Sequence, residues 1–180
     1  MRDGIIVLLL ILFPAISYSQ TIYFYVVSPM EEEIRRDLIR TLKKSGIEFS
    51  FYQGKRDLEE HLRLISEINE KRKGVFCAID LRKKEVSSIL VAVSNARKQD
   101  GRFLRIHEIP AIHIGLSLKI AEHVASSYGK NVIRLPLFPL LGVDMPGLFF
   151  RFYGPELKAA HVLNPLIEAV KKYSPREQKL

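Results

Sequence analysis

Three apolar runs in the first half of the chain decide the fold: TIYFYVV at 21–27, IEFSFY at 47–52 and VFCAIDL at 75–81. Short runs rich in β-branched and aromatic residues predict strands. Apolar residues with helical spacing separate the runs, namely Ile34, Leu38, Ile39 and Leu42 in the first interval and Leu58, Leu62, Ile65 and Ile68 in the second. Because the connections are short, the order β-α-β-α-β predicts a parallel sheet covered by helices.

The two predicted helices carry start and stop signals of their own. Ser28 and Pro29 predict the start of the first helix, and Gly46 predicts its end. Asp57 predicts the start of the second helix. The acidic run 31–33 falls in the first turn of the first helix, where negative charge complements the helix dipole. These glutamates are therefore explained without a catalytic role.

The second half of the chain continues the alternation less regularly. Strands are predicted at 87–94, 131–135 and 148–153, helices at 116–128 and 155–173, and an irregular or edge segment at 103–114 around Pro110. Neither an internal repeat nor a second domain is indicated. The expected fold class is α/β, a three-layer arrangement with a mostly parallel sheet flanked by helices.

The N-terminus resembles a cleavable secretory signal. Arg2 precedes the apolar run 5–13, which is too short to span a bilayer as a helix, and Pro14 ends that run. Ser17 and Ser19 place small residues before a cut ahead of Gln20. We therefore expect a signal peptide at 1–19 and a single domain at 20–180, periplasmic or secreted. A retained anchor or a buried helix is the alternative.

Composition narrows the classes of partner. The formal net charge is +8 and the isoelectric point is about 9.6. Predicted export and the dispersal of the cations along helices argue against nucleic acid. A basic exported domain is expected to accumulate on cell-wall polymers or, peripherally, on an anionic membrane surface. The single cysteine, Cys77, excludes an internal disulfide and lies in an apolar run, which predicts a buried inert thiol.

The side chains that usually carry catalysis form no recognisable centre in the sequence. The five histidines are His61, His107, His113, His123 and His161, and no two of them have the spacing of a helical ligand pair. His107 and Glu108 could act as an acid/base couple only beside a pocket, and a surface loop is the simpler interpretation. The serine pairs lack an elbow motif, and the glycines are isolated.

A family resemblance rests on both halves of the chain. In the first half, the segment from Glu32 to Leu81 carries a helix ending in Lys43-Lys44 and Gly46, a strand, a helix closing at Asn69 and a third strand. In the second half, PLFPL at 136–140 and VDMPGL at 143–148 precede the last strand and a long final helix. In this order the chain resembles the zinc-dependent N-acetylmuramoyl-L-alanine amidases of the bacterial cell wall. The resemblance implies their α/β fold.

The functional residues of that family do not carry over. Its first metal histidine lies in a glycine-rich loop after strand one, where this chain passes through Val27 and Ser28 directly towards the helix. Its metal glutamate falls near Val27, and Glu31 is out of register. The second metal histidine corresponds to Asp80, and the catalytic glutamate corresponds to Arg151. The resemblance thus implies a degenerate member with no metal ligand set and no catalytic residue.

Asp80 and Arg151 end apolar stretches on strands that are neighbours in the amidase fold, so we expect a salt bridge between them. A bridge that only fills the vacated site and fixes its geometry is the simpler interpretation. We expect Asp80, Arg151 and Asp144 to be the binding residues. The resulting hypothesis is an exported, non-catalytic amidase-like domain that binds peptidoglycan or an envelope protein, without a cofactor. The alternative is an active hydrolase of peptidoglycan amide bonds with zinc held by Asp80 and at least one later histidine. A structural subunit of an envelope assembly is a third interpretation.

Overall fold

A twisted sheet of six strands organises the part of the chain that the computed structural model describes, residues 21–71, 73–99, 101 and 103–173. The strands are β1 Thr21–Val26, β2 Glu48–Gln53, β3 Val75–Lys83, β4 Ser88–Ser94, β5 Ile133–Leu135 and β6 Gly147–Gly154. The α-helices are α1 Glu32–Ser45, α2 Leu58–Asn69, α3 Ile114–Ser126 and α4 Ala159–Tyr173, with 3₁₀ helices at Ile106–His113 and Phe138–Leu140. The predicted signal segment 1–19 lies outside the described residues.

The strand order is β2-β1-β3-β6-β4-β5. Strands β2, β1, β3 and β6 are parallel, whereas β4 runs antiparallel to β6 and β5 runs parallel to β4. The last strand of the chain therefore lies between β3 and β4, which are consecutive in sequence. This insertion brings the carboxyl ends of β3 and β6 together at one end of the sheet.

Each face of the sheet has its own apolar core. Helices α1, α3 and α4 pack on one face, against alternate residues of β1, β3 and β6 such as Phe24, Ile79 and Phe150. Helix α2 packs on the other face, where Ile65 and Ile68 join Phe76, Ala78 and Phe149 together with the segment 140–145. The two cores enclose the sheet and give the predicted three layers. Because side chains alternate along a strand, Asp80 and Arg151 continue the rows on the α2 face.

Two details of the predicted helices are wrong. Ser28 does not cap α1, which begins at Glu32 after Glu31, and its hydroxyl instead accepts a hydrogen bond from Arg82. Leu58 is half-exposed rather than inward, and His61 takes a buried position one turn later. That imidazole is satisfied because it contacts the Tyr25 hydroxyl at 3.0 Å and the Leu141 carbonyl oxygen at 3.1 Å.

Cys77 is fully buried in β3, as its apolar surroundings predict. Burial raises the pKa of its thiol far above the ordinary range, so the thiol is not ionised at neutral pH. Within the described residues, no helix combines the length and the apolar character needed to cross a bilayer.

Candidate functional site

The pairing of β3 with β6 brings Asp80 and Arg151 side by side. The two residues are direct partners across the strands, and Arg151 Nε donates to Asp80 Oδ2 at 3.3 Å. The expected salt bridge is therefore present. The Asp80 carboxylate is only 2% exposed, whereas the Arg151 side chain is 38% exposed. The salt bridge thus joins a buried carboxylate to a guanidinium group that is partly exposed to solvent.

Two further residues complete the hydrogen bonding of Asp80. Arg82 Nε donates to Asp80 Oδ1 at 2.9 Å, and the Tyr153 hydroxyl donates to Oδ2 at 2.6 Å. Arg82 is fixed in turn by Ser28, which lies just after β1. Burial by itself would raise the pKa of Asp80, but the hydrogen bonds from Tyr153 and Arg82 outweigh it and hold that pKa below its usual value. Asp80 is therefore an ionised, fully engaged carboxylate.

Positive charge exceeds negative charge around this carboxylate. The Tyr153 ring lies near three cationic groups: Lys84 Nζ at 4.3 Å, and the guanidinium carbons of Arg151 at 5.3 Å and Arg82 at 5.6 Å from its centroid. Three cations around one carboxylate leave an excess of two positive charges. We call Asp80, Arg82, Lys84, Arg151 and Tyr153 the Asp80 cluster. Its cations are exposed enough to meet an external anion.

A zinc ion does not fit this arrangement. Both oxygens of Asp80 already accept hydrogen bonds from cations or a phenol, and the neighbouring guanidinium groups repel a dication. In the ranges that the structure describes, no group of three or more His, Cys, Asp or Glu side chains is placed to hold a metal. His113 instead contacts Asp144, and His123 contacts Glu168.

Asp144 does not join the cluster. Gly147, at the start of β6, pairs with Phe76, and Arg151 lies four residues further along the strand. A strand rises about 3.3 Å per residue, which separates the two ends of this stretch by about 13 Å. Asp144 precedes β6, and its carboxylate lies 3.1 Å from His113 Nε2. A binding role for Asp144 stays a prediction, and it would belong to a different surface.

A cavity of about 600 Å³ lies beside His107, between the segments 94–99 and 136–141. An acid/base couple of His107 and Glu108 would require a pocket beside it, and this cavity provides one. Glu108, however, is buried, and its carboxylate accepts a hydrogen bond from the Arg105 backbone amide at 3.0 Å. This carboxylate holds the start of the 3₁₀ helix, and within the described residues no hydrogen bond joins it to His107.

Sequence reasoning missed Arg82, Tyr153 and Ser28. Arg82 follows Asp80 by two residues, and Tyr153 follows Arg151 by two residues, so each pair lies on one face of its strand. The strand periodicity could have revealed both. Ser28 carries no such signal, because its contact with Arg82 depends on the path of the chain after β1.

No family model matches the chain, and no curated protein matches it in sequence. Among solved structures, the chain is similar to the catalytic domain of the CD27L endolysin targeting Clostridia difficile, with a TM-score of 0.58 and 11% identity over 87% of this chain and 99% of that chain. It is also similar to the apo N-acetylmuramyl-L-alanine amidase Ami1 from Mycobacterium abscessus, with a TM-score of 0.53 and 6% identity over 86% of this chain and 98% of that chain. These likenesses show an amidase-like α/β fold and confirm the expected fold class.

Proposed function

We propose that this protein is an exported, non-catalytic amidase-like domain that binds peptidoglycan through the Asp80 cluster. The observation that carries the proposal is the saturation of Asp80 by Arg82, Arg151 and Tyr153. The carboxylate that the resemblance aligns with a metal ligand here anchors two guanidinium groups. The chemistry that remains is recognition of an anion.

The arginines are suited to bind a carboxylate. Arg151 uses only its Nε towards Asp80, and within residues 21–173, as far as they are described, its two terminal nitrogens donate to no protein acceptor. A guanidinium held at Nε still presents fixed N–H donors, which pair with carboxylates in two parallel hydrogen bonds. The peptide of peptidoglycan carries carboxylates, and the neighbouring Lys84 adds charge attraction. We therefore infer that a peptide carboxylate is the group recognised.

The fold and the N-terminal sequence support the same compartment. One structural neighbour is named as an N-acetylmuramyl-L-alanine amidase and another as an endolysin catalytic domain, and these likenesses support a role at the bacterial cell wall. The predicted signal peptide at 1–19 would deliver the domain to the periplasm or the outside of the cell. We propose that it meets peptidoglycan there without needing zinc or another cofactor.

Sedimentation with purified peptidoglycan sacculi tests the binding site. Arg151→Ala removes the exposed guanidinium and should weaken binding at least about tenfold, since hydrogen bonds to charged groups contribute about 1.5–3 kcal/mol. Arg63→Ala is the matched control, because Arg63 is an exposed α2 residue whose one ion pair among the described residues is with Glu59 at 3.5 Å. Equal binding by both variants would contradict the proposed site.

An assay of muropeptide cleavage separates the proposal from the active hydrolase with a rearranged metal site. The purified protein is incubated with muropeptides, with added zinc and with a chelator, and release of the free peptide is followed. We expect no release under either condition. Zinc-dependent release, or stoichiometric zinc in the purified protein, would replace the proposal by the hydrolase.

A further inference from the structure

The segment 97–107 exposes large apolar side chains to solvent. Phe103 is 84% exposed, the highest value among the large apolar residues of the described chain, and Leu104 and Ile106 are each nearly half-exposed. Isolated exposed apolar residues are common on soluble proteins, but three within four positions form a patch. Exposure of a Phe side chain to water is unfavourable relative to its burial, so the patch indicates a binding surface.

Cations are interleaved with these apolar residues. Arg97, Lys98 and Arg105 are exposed, and across the part of the chain with described positions none of the three forms an ion pair. The sequence of the segment also contains Asp100 and Arg102, whose formal charges cancel. The segment therefore carries a local charge of +3.

Hydrogen bonds hold the chain on both sides of Phe103 and Leu104. At the start of the segment, the Ala96 amide donates to the Ser94 hydroxyl at 3.1 Å, at the end of β4. At its end, the Arg105 backbone amide donates to the buried Glu108 carboxylate at 3.0 Å. Because β4 is antiparallel to β6, Ser94 lies towards the start of β6, at the end of the sheet opposite to Arg151. The segment is thus separate from the Asp80 cluster.

We propose that the segment 97–107 docks this protein on an anionic lipid surface, with Phe103 and Leu104 entering the boundary between head groups and acyl chains. Interfacial binding grows with the apolar area inserted and with attraction to anionic lipids, and this segment supplies both. Aromatic side chains favour the interface, and flanking Arg and Lys side chains reach back to the head groups. Because the segment carries a charge of +3, it is complementary to anionic head groups. An anionic lipid surface is therefore a better partner for it than an apolar protein surface.

A single-tryptophan reporter tests the insertion, because the chain contains no Trp. Phe103→Trp is titrated with vesicles of equal parts phosphatidylglycerol and phosphatidylcholine, and with vesicles of phosphatidylcholine alone. We expect its emission to shift to shorter wavelength with the anionic vesicles only. Ile133→Trp is the matched control, since Ile133 is also nearly half-exposed but lies on β5, and its emission should not move.

The test uses the full chain and a chain starting at Gln20, because the apolar run 5–13 is expected to bind lipid by itself, and the described core begins at Thr21. In the shorter chain, the double substitution Phe103→Ser and Leu104→Ser should weaken vesicle co-sedimentation about tenfold, which corresponds to about 1.4 kcal/mol. Unchanged co-sedimentation would show attachment by charge alone and overturn the insertion. A Phe103→Trp emission that does not move with anionic vesicles, or that moves equally with vesicles of phosphatidylcholine alone, would overturn the proposal as well.

Discussion

Replacing Asp80 by Asn should destabilise the fold by about 2 kcal/mol at neutral pH. The substitution keeps the volume and removes the charge that neutralises Arg82 and Arg151. Removing one member of a fully buried pair costs about 3–5 kcal/mol, but here the arginine side chains are 44% and 38% exposed, so water screens part of the loss. The remaining penalty is of the order of one hydrogen bond to a charged group, about 1.5–3 kcal/mol.

Urea denaturation of the wild type and of Asp80→Asn measures this difference, and thermal unfolding should show a midpoint lower by about 4–8 °C for a domain of this size. Glu32→Gln is the control. Glu32 is exposed, and its pairs with Arg35 and Arg36 span 3.9 and 4.0 Å, so its loss should change the free energy of unfolding by no more than about 0.5 kcal/mol.

The pH dependence of the same difference provides the refutation. The folded-state pKa of Asp80 is lower than its ordinary value, so the native state binds this proton less well than the unfolded chain. The stabilisation by Asp80 is complete above the ordinary pKa of about 3.9 and is lost as pH falls through the lower folded-state pKa. The wild type and Asp80→Asn should therefore converge in acid. Equal stability at neutral pH, or a difference that does not shrink below about pH 3, would refute the reasoning.

Three further predictions concern a hydrogen bond to Asp80, the buried imidazole of His61 and the backbone at Gly74. Tyr153→Phe removes the 2.6 Å hydrogen bond to Asp80, which should raise the pKa of that carboxyl in a nuclear magnetic resonance titration and lower the free energy of unfolding in urea by about 1 kcal/mol. Burial lowers the pKa of His61, so the urea midpoint should fall as pH drops below about 6.5, and this slope should be smaller in His61→Phe. Gly74→Ala should destabilise by more than about 2 kcal/mol in urea, because Gly74 has φ +142° and an added Cβ would lie 2.4 Å from a β1 carbonyl oxygen. Gly115→Ala, in open space on α3, should instead be neutral or stabilising by up to about 1 kcal/mol.

The first half of the fold was predictable because β1 and most of β3 are buried on both faces, and because β2 is rich in aromatic residues. Residues 75–79 of β3 form a continuous apolar run, and the helices between the strands are short and strongly periodic. The direction of β4 was not predictable from its own residues. It is set by pairing with β6, which begins more than fifty residues later in the chain, and no local signal specifies such a partner.

The candidate site was predictable only as far as strand alignment reached. The resemblance to amidases placed Asp80 and Arg151 on adjacent strands, and the β3–β6 register brings them together. Asp144 lies in the run before β6, at the end of that strand opposite to Arg151, and its binding role stays a prediction. Sequence similarity in the run before β6 indicates how the chain enters that strand. It does not indicate which end of the strand carries the binding residues.

Under the proposal, the charge of the Asp80 cluster favours the binding of an anion over hydrolysis. A catalytic zinc ion supplies two positive charges and an open coordination position, where a bound water loses a proton near neutral pH. Arg82 and Arg151 supply two positive charges at the carboxyl ends of β3 and β6. A guanidinium, however, keeps its protons at any physiological pH and offers no position for water to ionise. Under the proposal, the cluster can therefore attract and orient a carboxylate through fixed N–H donors, but it has no means of generating the hydroxide that amide hydrolysis requires.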